Sequence, residues 1–383
     1  MRILFDGATL CGKDGGPGAG IEHYSASLLS ALAQQAPQDV FLVALPSYCS
    51  LQYIRNIIGA SKNIKLLRTY LPHIPFVSRH LLFPLKAACY RPDVFFSPFG
   101  QLPLAWRGKS VLTVHDVAIY DHPEWFPEET AESFSTSFVV PSSFERTDAL
   151  IAVSECTKEE LTARFPHTRA KTHVVHEGVT LGNQKEIEHK ERFPFDRDYV
   201  LFLGTVEPRK NLVHAIRAFD EFLQSRDEQA FCVRFIIAGK HGWKTAETEA
   251  AADEVNRKWK TAEPNGVIQF LGSVTEEEKW YLLSNAACLL FPSYHEGFGL
   301  PLLEAMSVGT PVITSTAGAL SEVGGDAVMY ADPEDIQTMS LAIAQCVLLP
   351  EGLQNLREEG YRRARSFSWE ETAKKTIALL RSI

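Results

Sequence analysis

Short apolar runs, each closed by a turn residue and followed by a helical pattern, recur from one end of this chain to the other. In the first half they are RILFDG, VFLVALP, DVFFSP, SVLTVHDV and ALIAVS. In the second they are YVLFLG, RFIIAGK, VIQFLG, ACLLFPS and TPVITS. Strands separated by helices cannot pair as hairpins. They require crossover connections, and so predict parallel sheets with helices on their faces. Between the two sets lies LGNQKEIEHKERFPFDRD, which is polar, charged and nearly without strand pattern. It reads as a linker between two doubly wound domains of similar size. The length of 383 residues also fits about two domains. The expected division is 1–183, a linker over 184–198, 199–365, and a final amphipathic helix within 366–383, too short to begin a new unit.

Several classes of function are disfavoured by composition. Asp and Glu number 47 against 38 Lys and Arg, a net charge of -9, which argues against a nucleic-acid partner. No apolar run approaches the roughly 20 residues of a membrane span. The start, MRILFDGATL, is strand-like and lacks a small-residue cleavage site, so a cytoplasmic location is expected. The seven cysteines are scattered, odd in number and never spaced C-x-x-C, and are expected to be reduced core residues.

The densest chemical signal is HEGFGLPLLEAMSVGTPVI, with Glu296 and Glu304 eight residues apart. ACLLFPS is a buried strand, which puts Glu296 at its carboxyl end, where open α/β sheets bind ligands. Gly297 and Gly299 leave the backbone bare for close approach. Pro301 suits a first helical turn, while Gly309 and Pro311 end the helix, predicting a helix over about Leu300–Val308 with its positive end at the site. Such an end favours phosphate. Carboxylates beside phosphates repel them, so Glu296 and Glu304 are better suited to accept hydrogen bonds from hydroxyls. A nucleotide sugar offers both, with a diphosphate between two sets of hydroxyls. The plain alternative makes Glu304 a helix-dipole partner and Glu296 an ordinary loop acid, stabilising by under about 1 kcal/mol each.

The missing positive charge lies in GTVEPRKN, where Gly204 opens a βα turn containing Arg209 and Lys210. Arg through its fork and Lys as a point charge suit a diphosphate; a solvated surface pair is the alternative. The loop ATLCGKDGGPGAG after the first strand exceeds the usual 2–6 residues of a βα connection and does not match G-x-G-x-x-G. It ends at Gly20, where helix-start amides are placed to face an anion or a sugar; a flexible surface loop is the alternative.

The segments GTVEPRKNL, AGKHGW, FLGSVTEEEKWYLLSNAACLLFPSYHEGFGLPLLEAMSVGTPVI and FSWEETA resemble retaining glycosyltransferases of family 4. GIEHYSASLL, TVHDV and VSECTKEEL resemble that family's acceptor domain. The resemblance implies an α/β GT-B fold, two Rossmann-like doubly wound domains facing across a cleft, with the C-terminal helix crossing back to the N-terminal domain. It implies that Glu296 contacts hydroxyls of the transferred sugar and Glu304 the ribose. Backbone at Gly297, Phe298, Gly299 and Leu300 would face sugar and phosphates, and Val274 the nucleobase. Arg209 and Lys210 would neutralise the leaving diphosphate in place of a metal. His115 would reach the donor sugar, with Asp116 beside it; without the resemblance they read as a satisfied strand-end pair. The family often has Asn-Gly-Val-Asp at the end of the acceptor domain. Here the segment is VVHEGVT, with Glu177 and Thr180, which puts that loop's role in doubt. Ser154 and Thr157 read as helix caps, with Thr157 and Glu160 as a capping box.

The resemblance further implies same-face substitution with retention, in which the leaving phosphate helps take the acceptor proton, and no metal or other cofactor. Asp196-Arg197-Asp198 has D-x-D spacing but precedes a strand at its amino end, and reads as linker. GKHGW resembles the mannosyltransferase branch, making GDP-mannose the first donor, with UDP-glucose, UDP-N-acetylglucosamine and dTDP-rhamnose left open. The expected acceptor is a glycan or a lipid-diphosphate-linked glycan of cell-surface polysaccharide or lipopolysaccharide. A GT-B nucleotide-sugar epimerase and a non-catalytic glycan-binding scaffold are the other classes. From Leu51 to Arg91 there are seven Lys or Arg and no Asp or Glu, interleaved with apolar residues. This island is expected to place the protein at the inner face of the membrane as a peripheral protein, docked on anionic lipid or the lipid-diphosphate acceptor. A solvated basic face is the alternative.

Overall fold

The computed structural model describes residues 1–10, 20–59, 61–70, 74–182, 199–225, 233–261 and 263–383. The expected linker over 184–198, with Asp196 and Asp198, and residues 11–19 of the first loop lie outside these.

Two fully parallel sheets carry the chain. The first contains β1 (Arg2–Asp6), β2 (Val40–Pro46), β3 (Ile64–Tyr70), β4 (Val94–Ser97), β5 (Ser110–Val114), β6 (Ala149–Ala152) and β7 (Thr172–Val174), in the order β3-β2-β1-β4-β5-β6-β7. The second contains β8 (Tyr199–Leu203), β9 (Arg234–Ala238), β10 (Ile268–Gly272), β11 (Cys288–Phe291), β12 (Val312–Thr314) and β13 (Met329–Tyr330), in the order β10-β9-β8-β11-β12-β13. All ten expected strands are present. The other three, β3, β7 and β13, each sit at a sheet edge.

The strands are continuous apolar runs because parallel strands are covered on both faces. β8 is buried at every position, as is β5. In the first unit, Phe95, Leu112, Phe144 and Leu150 belong to one buried cluster with Phe83 and Trp106.

Each unit has its own set of contacts. The first comprises Met1–Tyr120, Glu128–Gly178 and Phe367–Ile383. The second comprises Asp121–Pro127 and Val179–Ser366. The C-terminal helix Trp369–Ser382 therefore packs in the first unit, against the helix Gly20–Gln35. Arg381 Nη2 donates to Asp39 Oδ2 at 2.9 Å. Asp121–Pro127 joins the second unit because Trp243 Nε1 donates to Trp125 O at 2.7 Å and the Trp125 ring lies nearly parallel to that of Tyr294.

Two local expectations need correction. Cys49 is disulfide-bonded, so the cysteines are not all reduced. The cap of the helix Glu155–Arg164 is Ser154, whose Oγ accepts from Thr157 N at 3.0 Å. Thr157, the third residue of the helix, supplies the capped amide and is not the cap itself. Among the described residues, no single helix is long and apolar enough to cross a membrane.

Candidate active site

In the second unit, the carboxyl ends of adjacent strands are stripped of side chains. Gly204, Gly239 and Gly272 close β8, β9 and β10, and Gly239 N donates to Gly272 O at 2.8 Å. A β-carbon on Gly239 would stand 1.8 Å from Gly204 O, so nothing larger fits there.

The turn after β8 then delivers the cations. Pro208–Lys210 forms a short 3-10 turn, and Asn211 leaves it in the left-handed region at φ 57°. The Asn211 amide explains why that conformation persists. Its Nδ2 donates to Pro292 O at 3.2 Å and Pro333 O at 2.6 Å, tying the turn to the end of β11. Tyr294 N donates to Arg209 O at 2.8 Å, joining the two loops a second time.

These ties bring Arg209, Lys210 and Glu296 into one cluster. Lys210 Nζ donates to Glu296 Oε1 at 2.5 Å, and Ser293 Oγ to the same oxygen at 2.8 Å. Arg209 reaches Glu296 Oε2 at 3.4 Å and, through Nη2, Glu207 Oε1 at 2.9 Å. Both Glu296 and Lys210 are buried. Burial alone would raise the Glu296 carboxyl, but Lys210, Arg209 and Ser293 outweigh it and hold the pKa below the ordinary carboxylate value.

The helix beyond is Leu300–Ser307, within a residue of expectation. Gly299 caps it at φ 105° and Pro301 stands in its first turn. Phe298 is buried and Leu300 partly so. Glu304 is buried and is not held by the Arg209–Lys210 cluster. Lys279, on the helix Glu276–Asn285, donates to Glu304 Oε1 at 2.7 Å and to Glu276 Oε1 at 3.0 Å. Burial would depress this ammonium, but the two glutamates raise it. Val274 is half-buried immediately before that helix, whose capping box is formed by Thr275 and Glu278.

Two supports escaped sequence reasoning. Lys279 sits in a run of charges, TEEEKW, that reads as a solvated helix start. Gly318, at φ 59°, lies so close to Glu296 that a β-carbon would be 2.4 Å from Glu296 O. Ala319 N donates to that oxygen at 2.8 Å. A Gly between alanines after a strand is the only signal available.

The remaining residues lie in the first unit. His115 closes β5, with Nδ1 3.0 Å from Glu177 Oε1 and Nε2 2.9 Å from Pro98 O. Asp116 Oδ1 accepts from Ala118 N at 3.2 Å, a local turn that shapes the loop. Gly20 begins the helix Gly20–Gln35 and is exposed.

The two parallel-sheet units match glycosyltransferase family models along most of the chain. Residues 18–182 match Glycosyltransferase Family 4, and residues 183–363 match Glycosyl transferases group 1. The chain belongs to family 4 of the glycosyltransferases, with the GT-B fold. It is 29% identical over 313 residues to the O-antigen chain mannosyltransferase B of Escherichia coli, covering 78% of this chain and 77% of that one. It is 24% identical over 346 residues to the O-antigen chain mannosyltransferase RfbU of Salmonella typhimurium, covering 88% and 90%. Among solved structures, the sucrose-phosphate synthase of Thermosynechococcus elongatus superposes with a TM-score of 0.75 at 19% identity, covering 100% of this chain and 98% of that one.

Proposed function

We propose that this glycosyltransferase is retaining and metal-independent. It moves mannose from GDP-mannose to a glycan or lipid-linked glycan in cell-surface polysaccharide synthesis. The C1–O bond to the diphosphate breaks, a C1–O bond to the acceptor hydroxyl forms on the same face, and the acceptor proton passes to the departing phosphate oxygen. The observation that carries this is the Glu296 cluster. One buried carboxylate, suited to sugar hydroxyls, is fixed beside two cations suited to a leaving diphosphate. Preorganised charge of this kind is the main source of catalysis where negative charge develops. Glu304, held by Lys279, receives the ribose, and Gly297, Phe298, Gly299 and Leu300 present backbone to the phosphates. Val274 borders the base. Gly20 and the His115–Asp116 pair are assigned to the donor. The names of the two O-antigen mannosyltransferases support the choice of mannose.

The same proposal places the first unit on an anionic membrane. Arg55, Lys62, Lys65, Arg68, Lys86 and Arg91 are exposed. Arg79 is not part of this face, since its Nη2 donates to buried Asp6 Oδ2 at 2.8 Å. The stretch between them exposes Phe76, Leu81 and Leu85, the last by 70%. Phe76 lies 5.8 Å from Phe134, itself stacked on Phe138.

Calorimetry in EDTA tests the donor assignment, with GDP-mannose, UDP-glucose, UDP-N-acetylglucosamine and dTDP-rhamnose as ligands. Selective binding of GDP-mannose that weakens in Glu304→Ala is the expected result. Selective binding of another donor would replace mannose, and binding that appears only with a divalent cation would remove metal independence.

A further inference from the structure

His115 uses both ring nitrogens at once. Nε2 lies 2.9 Å from Pro98 O, and a carbonyl oxygen only accepts, so Nε2 carries a hydrogen. Nδ1 faces Glu177 Oε1 at 3.0 Å, so a second proton lies between ring and carboxylate. That proton sits either on the ring, giving an imidazolium, or on the carboxyl.

The surroundings favour the ring. The charged groups around it are Glu177 and Asp116, both negative. Tyr24, from the helix Gly20–Gln35, meets the ring at 4.6 Å and spends its hydroxyl on Thr113 Oγ1. His23 and Trp369 lie beyond Tyr24, and Thr157 donates to the backbone oxygen of His115. Burial opposes the charge, but the hydrogen bond and charge of Glu177 outweigh it and hold the histidine pKa above its ordinary value.

The loop that carries Glu177 is anchored. Thr372 Oγ1 donates to His176 O at 2.8 Å, and a β-carbon on Gly178 would stand 2.2 Å from Trp369 N. The His-Glu-Gly-Val departure from the family pattern thus has a local reason. Gly178 allows the close approach, and Glu177 reaches a partner that an asparagine would not hold as a charge.

We propose that Glu177 is a positioning residue for sugar transfer: it fixes His115 as a part-buried imidazolium, which offers the transferred sugar an oriented positive charge and not a free ring nitrogen. This rests on the assignment of His115 to the donor in the proposed function. Two arms keep the two apart. The first is NMR of the full chain labelled with 15N-histidine, with His115 assigned through His115→Gln. At pH 7.5 both His115 nitrogens are expected to resonate as protonated. In Glu177→Gln one becomes pyridine-like at that pH, and Glu177→Asp restores part of the protonation. The second arm is GDP release from GDP-mannose. Glu177→Gln is expected to fall about tenfold at pH 8 and to recover toward the wild type only as pH is lowered past the ordinary histidine value, because burial without Glu177 depresses the ring.

A wild-type ring with an unprotonated nitrogen at pH 7.5 would overturn the proposal, because the proton would then sit on Glu177. A Glu177→Gln pH profile parallel to the wild type would overturn the positioning role, as would His115→Gln with unchanged turnover. Failure of the wild type to consume GDP-mannose would count against the donor, leaving the ring titration to decide the state of the pair.

Discussion

Lys210 Nζ stands 2.5 Å from Glu296 Oε1 inside the protein, so each charge is the other's main compensation. Removing Glu296 leaves the Lys210 ammonium buried without its nearest counter-charge, while removing Lys210 leaves Glu296 to Arg209 and Ser293, so the loss of Lys210 costs up to, and not beyond, the about 3–5 kcal/mol of a broken buried pair. Lys210→Met is therefore expected to lower the unfolding midpoint sharply. Lys210→Met with Glu296→Gln should recover most of the stability but none of the activity. Losing one such preorganised group lowers kcat by about 100- to 1,000-fold. A double-mutant cycle in urea, paired with turnover of GDP-mannose, separates the two effects.

The same pair sets an acid limit. The folded pKa of Glu296 is depressed, so its contribution to stability is full above the unfolded carboxylate value of about 4.3 and is lost as pH falls through the folded one. Urea midpoints between pH 7 and pH 3 should fall less steeply in Glu296→Gln than in the wild type. Equal slopes would show that the carboxylate is not held as described.

Lys279 makes an analogous claim at the other glutamate. It donates to Glu304 at 2.7 Å with its side chain only 10% exposed. Lys279→Met is expected to destabilise by about 3 kcal/mol, the lower end for a broken buried pair. Binding of GDP should weaken as well, since the Glu304 carboxylate loses its orientation. Unchanged calorimetric affinity with a lowered unfolding midpoint would limit Lys279 to a structural role.

Gly318→Ala tests the support beneath Glu296. The new methyl would meet Glu296 O at 2.4 Å on backbone held at φ 59°. Strain of this kind costs about 1–3 kcal/mol. Because the displaced atom belongs to the site residue itself, donor affinity should drop together with thermal stability. Gly352→Ala, where nothing lies within 4 Å, is the control.

Much of this was legible because both sheets obey one rule: central parallel strands are apolar throughout and end in turn residues. β3, β7 and β13 escaped because each is an edge strand that is either charged or very short, whereas the fourth edge strand, β10, keeps the apolar run VIQFLG. β3 reads IKLLRTY, with Lys65 and Arg68 exposed on a strand that has one neighbour, so its charges looked like part of a basic surface. β7 and β13 have only three and two residues. At the site, glycines, proline and the two glutamates carried position-specific signals. Lys279, Gly318 and Glu177 did not, because their roles come from partners 25, 22 and 62 residues away, at Glu304, Glu296 and His115.

The proposed membrane docking would rest on two features that can be separated. The exposed basic residues contribute about 1 kcal/mol each near an anionic surface, an attraction screened by salt. Arg55, Lys62, Lys65 and Arg68 changed to Glu should abolish sedimentation with phosphatidylglycerol vesicles, while added salt weakens the wild type. On that proposal Leu85, 70% exposed, and Phe134, 54% exposed, would act through apolar insertion instead. Leu85→Ser with Phe134→Ser should weaken binding with little change in its salt dependence, and leave GDP-mannose hydrolysis in solution intact. Undiminished sedimentation of both variants would leave the basic island as an ordinary solvated face.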